Sequence, residues 1–153
     1  ENPMPQLLIV HHSPSPHTRA IAEAVLRGTR HEDIEDVEVV ERAALEATVD
    51  DVLAADGYLL GTTANFGYIS GALKHFFDTT YSATHESTAK RPFSYWIHGG
   101  HDTTGAEQAM NSITTGYRWV LAAEPLVFTG EVEDGRLELA SELGAAMAAM
   151  LMS

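Results

Sequence analysis

The chain has 153 residues and no cysteine, and its 22 acidic and 9 basic residues give a net charge of -13. Because 44% of the residues are hydrophobic, we expect a globular protein, and the length fits one domain with a substantial core. The composition excludes disulfides and cysteine-bound zinc or iron–sulfur sites, and the charge argues against nucleic acid or an anionic membrane as a partner.

The predicted domain spans residues 4–153, because Met4 is interpreted as the native start and residues 1–3 are left outside it. The first residues lack the basic and apolar regions of a signal peptide. No run is long and apolar enough to cross a membrane, so we expect cytoplasmic localisation.

Strand and helix patterns alternate along the chain. Apolar runs predict strands at 6–11, 36–41, 57–63, 92–100 and 125–130. Helical spacing predicts helices at 17–28, after Ser70, at 103–122 and at 139–152, with one or two short helical turns within 41–57. The polar stretch 79–91 is predicted to be a long loop, and the Asp-Gly pair within 131–139 predicts a small hairpin.

Five strands that alternate with helices indicate an α/β fold, in which a parallel sheet is covered by helices on both faces. Right-handed crossovers leave few topologies, and 2-1-3-4-5 is a common strand order for five strands. Ligands of such sheets bind beyond the carboxyl ends of the strands, at the switch point between strands one and three. We therefore examine the loops after strands one, three and four for a binding site.

The loop after strand one is rich in hydroxyl groups. Ser13, Ser15 and Thr18 offer side chains, and the N–H groups of Ser15, His17 and Thr18 open the first helix, so they can surround a phosphate. The same residues also fit a capped helix start, with prolines shaping the turn. On this stretch alone, the capped helix start is the simpler interpretation.

The loop after strand three places two large rings on a turn, since Phe66 and Tyr68 flank Gly67. They can be ordinary half-buried aromatics. Their position at the same sheet edge as the hydroxyl-rich loop also suits a flat ligand stacked on either ring. After strand four, Gly99 and Gly100 allow the backbone to pass close to a ligand.

Other ligand classes fit the sequence less well. The chain has no G-x-G-x-x-G fingerprint, no phosphate-binding P-loop and no G-x-S-x-G elbow, which argues against a dinucleotide-binding domain, an NTPase and an α/β hydrolase. His11, His12, His98 and His101 lie at strand ends, but no nearby carboxylate completes a known ligand spacing. We predict no metal site.

Three stretches resemble the flavodoxin-like superfamily, and within it the branch of NAD(P)H-dependent FMN reductases and quinone reductases. "SPSPHTRAIAEA" is similar to the phosphate loop and first helix of that group, and "HGGHDTTGAEQAM" to its glycine-rich third loop. "GTTANFGYISGALKHFFD" is the most specific match, to G-T-P-x-x-x-G-x-x-S-G-x-L-K-x-F-x-D. Together they extend the resemblance over nearly the whole chain.

The resemblance implies a flavodoxin-like three-layer sandwich that binds FMN. It implies that four residues hold the phosphate: Ser13, Ser15, His17 and Thr18. It implies that six residues lie along the isoalloxazine and ribityl groups: Thr63, Ala64, Asn65, Phe66, Gly67 and Tyr68. It implies that five residues lie against the pyrimidine edge of the ring: Gly99, Gly100, His101, Asp102 and Gly105. The loop departs from the family pattern at Pro14 and Pro16, which lack N–H groups.

The implied activity is electron transfer from NAD(P)H through FMN to a quinone or another small acceptor, with no catalytic side chain assigned. One alternative is an electron-carrier flavodoxin that serves redox protein partners without turning over a substrate. Another is a flavodoxin-like domain that binds no flavin. A homodimer is compatible with each of these alternatives.

Overall fold

The computed structural model describes residues 3–152, so residue 153 of the predicted 4–153 domain and residues 1–2 lie outside it. The described strands are β1 (Gln6–His11), β2 (Glu38–Ala43), β3 (Gly57–Asn65), β4 (Tyr68–Ile69), β5 (Pro92–Gly99), β6 (Val120–Leu121) and β7 (Leu126–Thr129). The described helices are α1 (Pro16–Thr29), α2 (Val49–Ala54), α3 (Gly71–Thr84), α4 (Thr104–Tyr117) and α5 (Asp134–Met150). None of these helices is long and apolar enough to span a bilayer.

The sheet has a parallel core with β1 and β3 at its centre. β1 pairs with β2 on one side and β3 on the other, and β3 pairs with β5. β5 pairs first with the short β6 and then, nearer its carboxyl end, with β7. With β5 and β7 as the predicted fourth and fifth strands, the order 2-1-3-4-5 is confirmed. The antiparallel β4 is an addition that pairs only with the end of β3.

Helices cover both faces of the sheet, as the alternation along β1 shows. Leu7 and Ile9 pack in a core with residues of α1 and α5, whereas Leu8 and Val10 pack with residues of α2, α3 and α4. All four side chains are fully buried. This burial on both faces explains why β1 reads as a continuous apolar run.

Helices α1 and α5 cross closely because glycine stands at the contact on each helix. A Cβ on Gly28 would lie 1.8 Å from the Ser141 carbonyl oxygen, and a Cβ on Gly144 would lie 2.0 Å from the Val25 carbonyl oxygen. Neither position has room for a side chain. The crossing fixes α1, and with it the loop that precedes α1.

The prediction of a polar loop at 79–91 was wrong, because α3 continues to Thr84. The hydroxyls of Thr80, Thr84 and Thr88 donate to the carbonyl oxygens four residues earlier, at 2.9, 2.6 and 2.9 Å. These bonds let threonine side chains be buried in and beyond the helix at almost no exposure. Residues that look polar in the sequence therefore belong to the core.

Two further boundaries also differ from the predictions. The helix predicted over 103–122 ends at Tyr117, because Arg118 takes a left-handed conformation (φ 61°) and the chain then enters β6. The hairpin predicted within 131–139 is absent, since α5 begins at Asp134 and runs through the Asp-Gly pair. An aspartate in the first turn favours the helix through its interaction with the helix dipole.

Candidate functional site

The loop between β1 and α1 is closed by hydrogen bonds of its own side chains. Ser15 Oγ accepts the Thr18 N–H at 3.2 Å, and Thr18 Oγ1 accepts the Ser15 N–H at 3.0 Å. This reciprocal pair is a capping box, and Pro16 stands at the first helical position, where no N–H partner is needed. The predicted capped helix start is confirmed, and it lies within the loop that was predicted to hold a phosphate.

Ser13, earlier in the same loop, is hydrogen-bonded to His11, the last residue of β1. Its Oγ lies 2.8 Å from Nδ1 of His11, and Nε2 of His11 lies 2.7 Å from a carboxylate oxygen of Glu41 on β2. The His11 side chain is 12% exposed, so the imidazole is mostly enclosed. A chain of three polar side chains therefore links the neighbouring strand to the loop.

The end of β3 and β4 form a tight hairpin that presents aromatic rings. Phe66 and Gly67 form its turn at φ 50° and 75°, and the flanking Asn65 and Tyr68 are paired. Two successive positive φ values are what a type I′ turn requires. Phe66 is fully exposed and Tyr68 is 40% exposed, so both rings lie at the surface, and both belong to the predicted platform.

The glycine-rich loop after β5 and the start of α4 pack directly against this hairpin. A Cβ on Gly105 would lie 1.9 Å from the Gly67 carbonyl oxygen. A Cβ on Gly99 would lie 3.0 Å from Cβ of Ala64, whereas one on Gly100 would meet nothing within 4 Å. Close backbone approach thus explains the glycine at position 105, side-chain crowding favours a glycine at position 99, and the space beside Gly100 is open.

Asp102 caps the start of α4. Its Oδ1 accepts the N–H of Thr104 at 3.0 Å and the hydroxyl of Thr104 at 2.7 Å. These two bonds lower the pKa of the Asp102 carboxyl. Of the two capping residues considered from the sequence, Thr103 makes no capping bond and donates instead to Glu107, at 3.0 Å.

A cavity of about 540 Å³ opens beside the start of α1. Three predicted residues line it (Ser15, His17 and Thr18), together with His98, Gly130, Glu131 and Val132. The last four were not among the predicted site residues, and two of them, Glu131 and Val132, lie in the stretch 131–139 that was predicted to form a hairpin. The topology does indicate them, since the fifth parallel strand ends at the same edge as the other strands.

The predicted residues fall into two groups at one sheet edge. Ser15, His17 and Thr18 line the cavity, whereas 63–68 and 99–105 pack against one another. The groups are linked through the backbone, since the His12 N–H donates to Gly61 at 3.0 Å and the Gly130 N–H donates to Gly99 at 3.2 Å. Within residues 3–152, no three His, Asp or Glu side chains converge in a way that could hold a metal ion.

Comparison with known proteins supports a common fold. No protein-family model matches the chain. Over 75 residues the chain is 37% identical to a flavodoxin from Aquifex aeolicus (strain VF5), a match that covers 49% of this chain and 40% of that flavodoxin. The match therefore spans about two fifths of the length of the curated relative.

Two solved structures align over almost the whole chain. A flavodoxin from the domain Archaea gives a TM-score of 0.81 at 18% identity, covering 95% of this chain and 98% of that one. A WrbA-like flavodoxin from Agrobacterium tumefaciens gives 0.76 at 21% identity, covering 96% and 97%. Together with the strand order and the helices on both faces, these alignments show that the chain has the flavodoxin-like fold.

Proposed function

We propose that the protein binds FMN at the carboxyl edge of its sheet and passes electrons from NAD(P)H to a quinone or another small acceptor. The observation that carries the proposal is the exposed pair Phe66 and Tyr68 on a hairpin turn, at the same edge as the hydroxyl-lined start of α1. The fully exposed Phe66 ring, on a turn at positive φ, has no packing role of its own, and a flat isoalloxazine stacked on it would give it one.

The phosphate end of FMN fits the start of α1. This 14-residue helix directs its N-terminal N–H groups and its dipole at the loop 13–18. The hydroxyls of Ser13 and Ser15 and the N–H of His17 supply further donors, whereas the Thr18 hydroxyl donates to the Ser15 carbonyl oxygen at 3.1 Å and holds the shape of the loop. In a chain of net charge -13, such local donors are what a phosphate requires, because the overall field repels it.

The ring end fits the hairpin and the loop after β5. Gly67 has no Cβ and a positive φ, and the space around its missing side chain is empty to 4 Å, so a planar group can approach the backbone there. Gly100 leaves a second open face. FMN, when bound, supplies the electron-transfer chemistry, while these residues orient the ring and leave part of it accessible.

A second candidate function is electron transfer between protein partners without substrate turnover. The net charge of -13 favours it, because an acidic surface attracts basic partners over long distances. The sequence match to the Aquifex aeolicus flavodoxin also supports this alternative.

The test is a visible spectrum of the protein mixed with FMN and passed through a desalting column, before and after NADPH is added. Retained yellow colour that NADPH bleaches and a quinone restores supports the reductase. Colour that responds to dithionite but not to NADPH or NADH supports the carrier. A colourless protein contradicts both. The control for the hairpin rings is Phe128, a buried ring on β7. Loss of colour in Phe66→Ala with Tyr68→Ala, but not in Phe128→Leu, locates the ring site at the hairpin.

A further inference from the structure

His11 stands between a negative charge on β2 and the first hydroxyl of the phosphate loop. Its Nε2 is 2.7 Å from Glu41 Oε2 and its Nδ1 is 2.8 Å from Ser13 Oγ. Within residues 3–152, Glu41 is the only carboxylate within 4.0 Å of this ring. The Trp96 ring lies 5.8 Å away between centroids, a range in which an indole attracts a cation.

The hydrogen bonds of a neutral His11 restrict what Ser13 can donate. An ionised Glu41 only accepts, so the single ring proton must sit on Nε2. The bare Nδ1 must then accept the Ser13 hydroxyl proton. Since a hydroxyl has one hydrogen, Ser13 presents only lone pairs to the loop and repels a phosphate oxygen.

A protonated His11 reverses this arrangement. Both ring nitrogens then donate, Nε2 to Glu41 and Nδ1 to Ser13 Oγ. The hydroxyl hydrogen of Ser13 is released and can point into the loop. The same proton also places a positive charge behind Ser13, which a bound phosphate would favour.

We propose that His11 and Glu41 position the Ser13 hydroxyl and couple the binding of the FMN phosphate to the uptake of a proton by His11. The inference rests on the proposed FMN site. No covalent bond changes: the proton comes from the buffer, and it returns to the buffer when the ligand leaves. His11 acts here through Ser13, as a positioning residue.

The surroundings of His11 contain few other groups that can titrate. On β2 the charged neighbour is Glu41, while the adjacent β3 residue is Gly61 and β5 contributes the neutral Trp96. His12 follows it in the chain and His17 lies in the first turn of α1. Both of these imidazoles lie near the loop, so the experiment needs a variant that changes the surroundings of His11 alone.

The experiment measures FMN dissociation constants between about pH 7 and pH 9, where the phosphate stays a dianion. Calorimetry in two buffers of different ionisation enthalpy counts the protons taken up. The wild type should lose about ten- to a hundredfold in FMN affinity across this range and should take up protons on binding. Riboflavin, which lacks the phosphate, should show neither effect.

Glu41→Gln is the matched variant, since it removes the negative charge that favours a protonated His11, while its amide can donate to Nε2 or accept from it. Without that charge the variant should lose most of the proton uptake. Where the amide donates, the ring hydrogen sits on Nδ1, Ser13 is freed without any added proton, and FMN affinity is kept at high pH. Ser13→Ala should bind FMN weakly at every pH, again without proton uptake.

Each outcome is decisive. Proton uptake that is unchanged in Glu41→Gln overturns the inference and assigns the proton to another imidazole. If the wild type binds FMN with the same affinity at every pH, the inference is overturned and the proposed function stands. A wild type that binds no FMN at any pH overturns both.

Discussion

Replacing Gly105 with alanine tests whether the hairpin is part of the binding site. The added Cβ would sit 1.9 Å from the carbonyl oxygen of Gly67 and 2.7 Å from its carbonyl carbon. Real Cβ contacts do not fall below 3.0 Å, so the hairpin or the start of α4 must move by roughly 1 Å. Both contacts are to backbone, so no side-chain rotation can relieve them.

The expected cost follows from this overpacking. Gly105→Ala should lower the free energy of unfolding by about 1–3 kcal/mol. Because the displaced hairpin carries Phe66 and Tyr68, FMN affinity should fall by at least about tenfold. The assays are urea unfolding followed by circular dichroism, and FMN titration by fluorescence quenching.

Gly71→Ala is the matched control, because Gly71 opens α3 and a Cβ there would meet nothing within 4 Å. This variant should be as stable as the wild type, or up to about 1 kcal/mol more stable. If Gly105→Ala behaves like Gly71→Ala in both assays, the close approach of α4 and the hairpin is refuted. If only stability falls, the hairpin packs against α4 without taking part in FMN binding.

Four other predictions follow from the same contacts. Thr18→Ala should lose the capping box, at a cost of about 0.5–2 kcal/mol in urea unfolding, and should bind FMN more weakly because that box holds the shape of the loop 13–18. Riboflavin affinity should change much less; an equal loss for both ligands would assign Thr18 to the fold alone. Gly67→Ala should lower the free energy of unfolding by roughly 1 kcal/mol, because alanine is strained at φ 75°; unchanged stability in urea unfolding would contradict this. If the loop 13–18 encloses the terminal phosphate as proposed, FMN should bind at least as tightly as FAD; tighter FAD binding in parallel titrations would argue against that enclosure. Gly144→Ala should destabilise the protein by about 1–3 kcal/mol in urea unfolding, since its Cβ would lie 2.0 Å from the Val25 carbonyl oxygen; unchanged stability would disprove the close helix crossing.

The strand order could be predicted because burial leaves a strong pattern in the sequence. Leu7 to Val10 are fully buried on both faces of the sheet, and their continuous apolar run marks a central strand. The stretch 79–91 could not be predicted in this way, because its threonines satisfy their hydroxyls within the helix and become buried. A hydropathy pattern cannot show which polar groups find such partners.

The parts of the candidate site that could be predicted are the loops whose positions follow from the strand topology alone. The ends of the first, third and fourth predicted strands must meet at one edge, so their loops could be named from sequence. The contact of His11 with Glu41 could not, since it depends on the register between β1 and β2, in which Ile9 stands opposite Glu41. Sequence patterns predict neighbouring strands better than they predict register.

The two prolines of the phosphate loop give the His11 contact its importance. Pro14 and Pro16 remove two N–H donors, and the capping box already uses the hydroxyl of Thr18 and its N–H. The donors left for a phosphate are therefore few, and the Ser13 hydroxyl is one of them. Because His11 controls the direction of that hydroxyl, a loop with fewer backbone donors depends more strongly on one protonation state. Restoring a donor should weaken that dependence, so Pro14→Ala should bind FMN with a smaller loss of affinity between about pH 7 and pH 9 than the wild type.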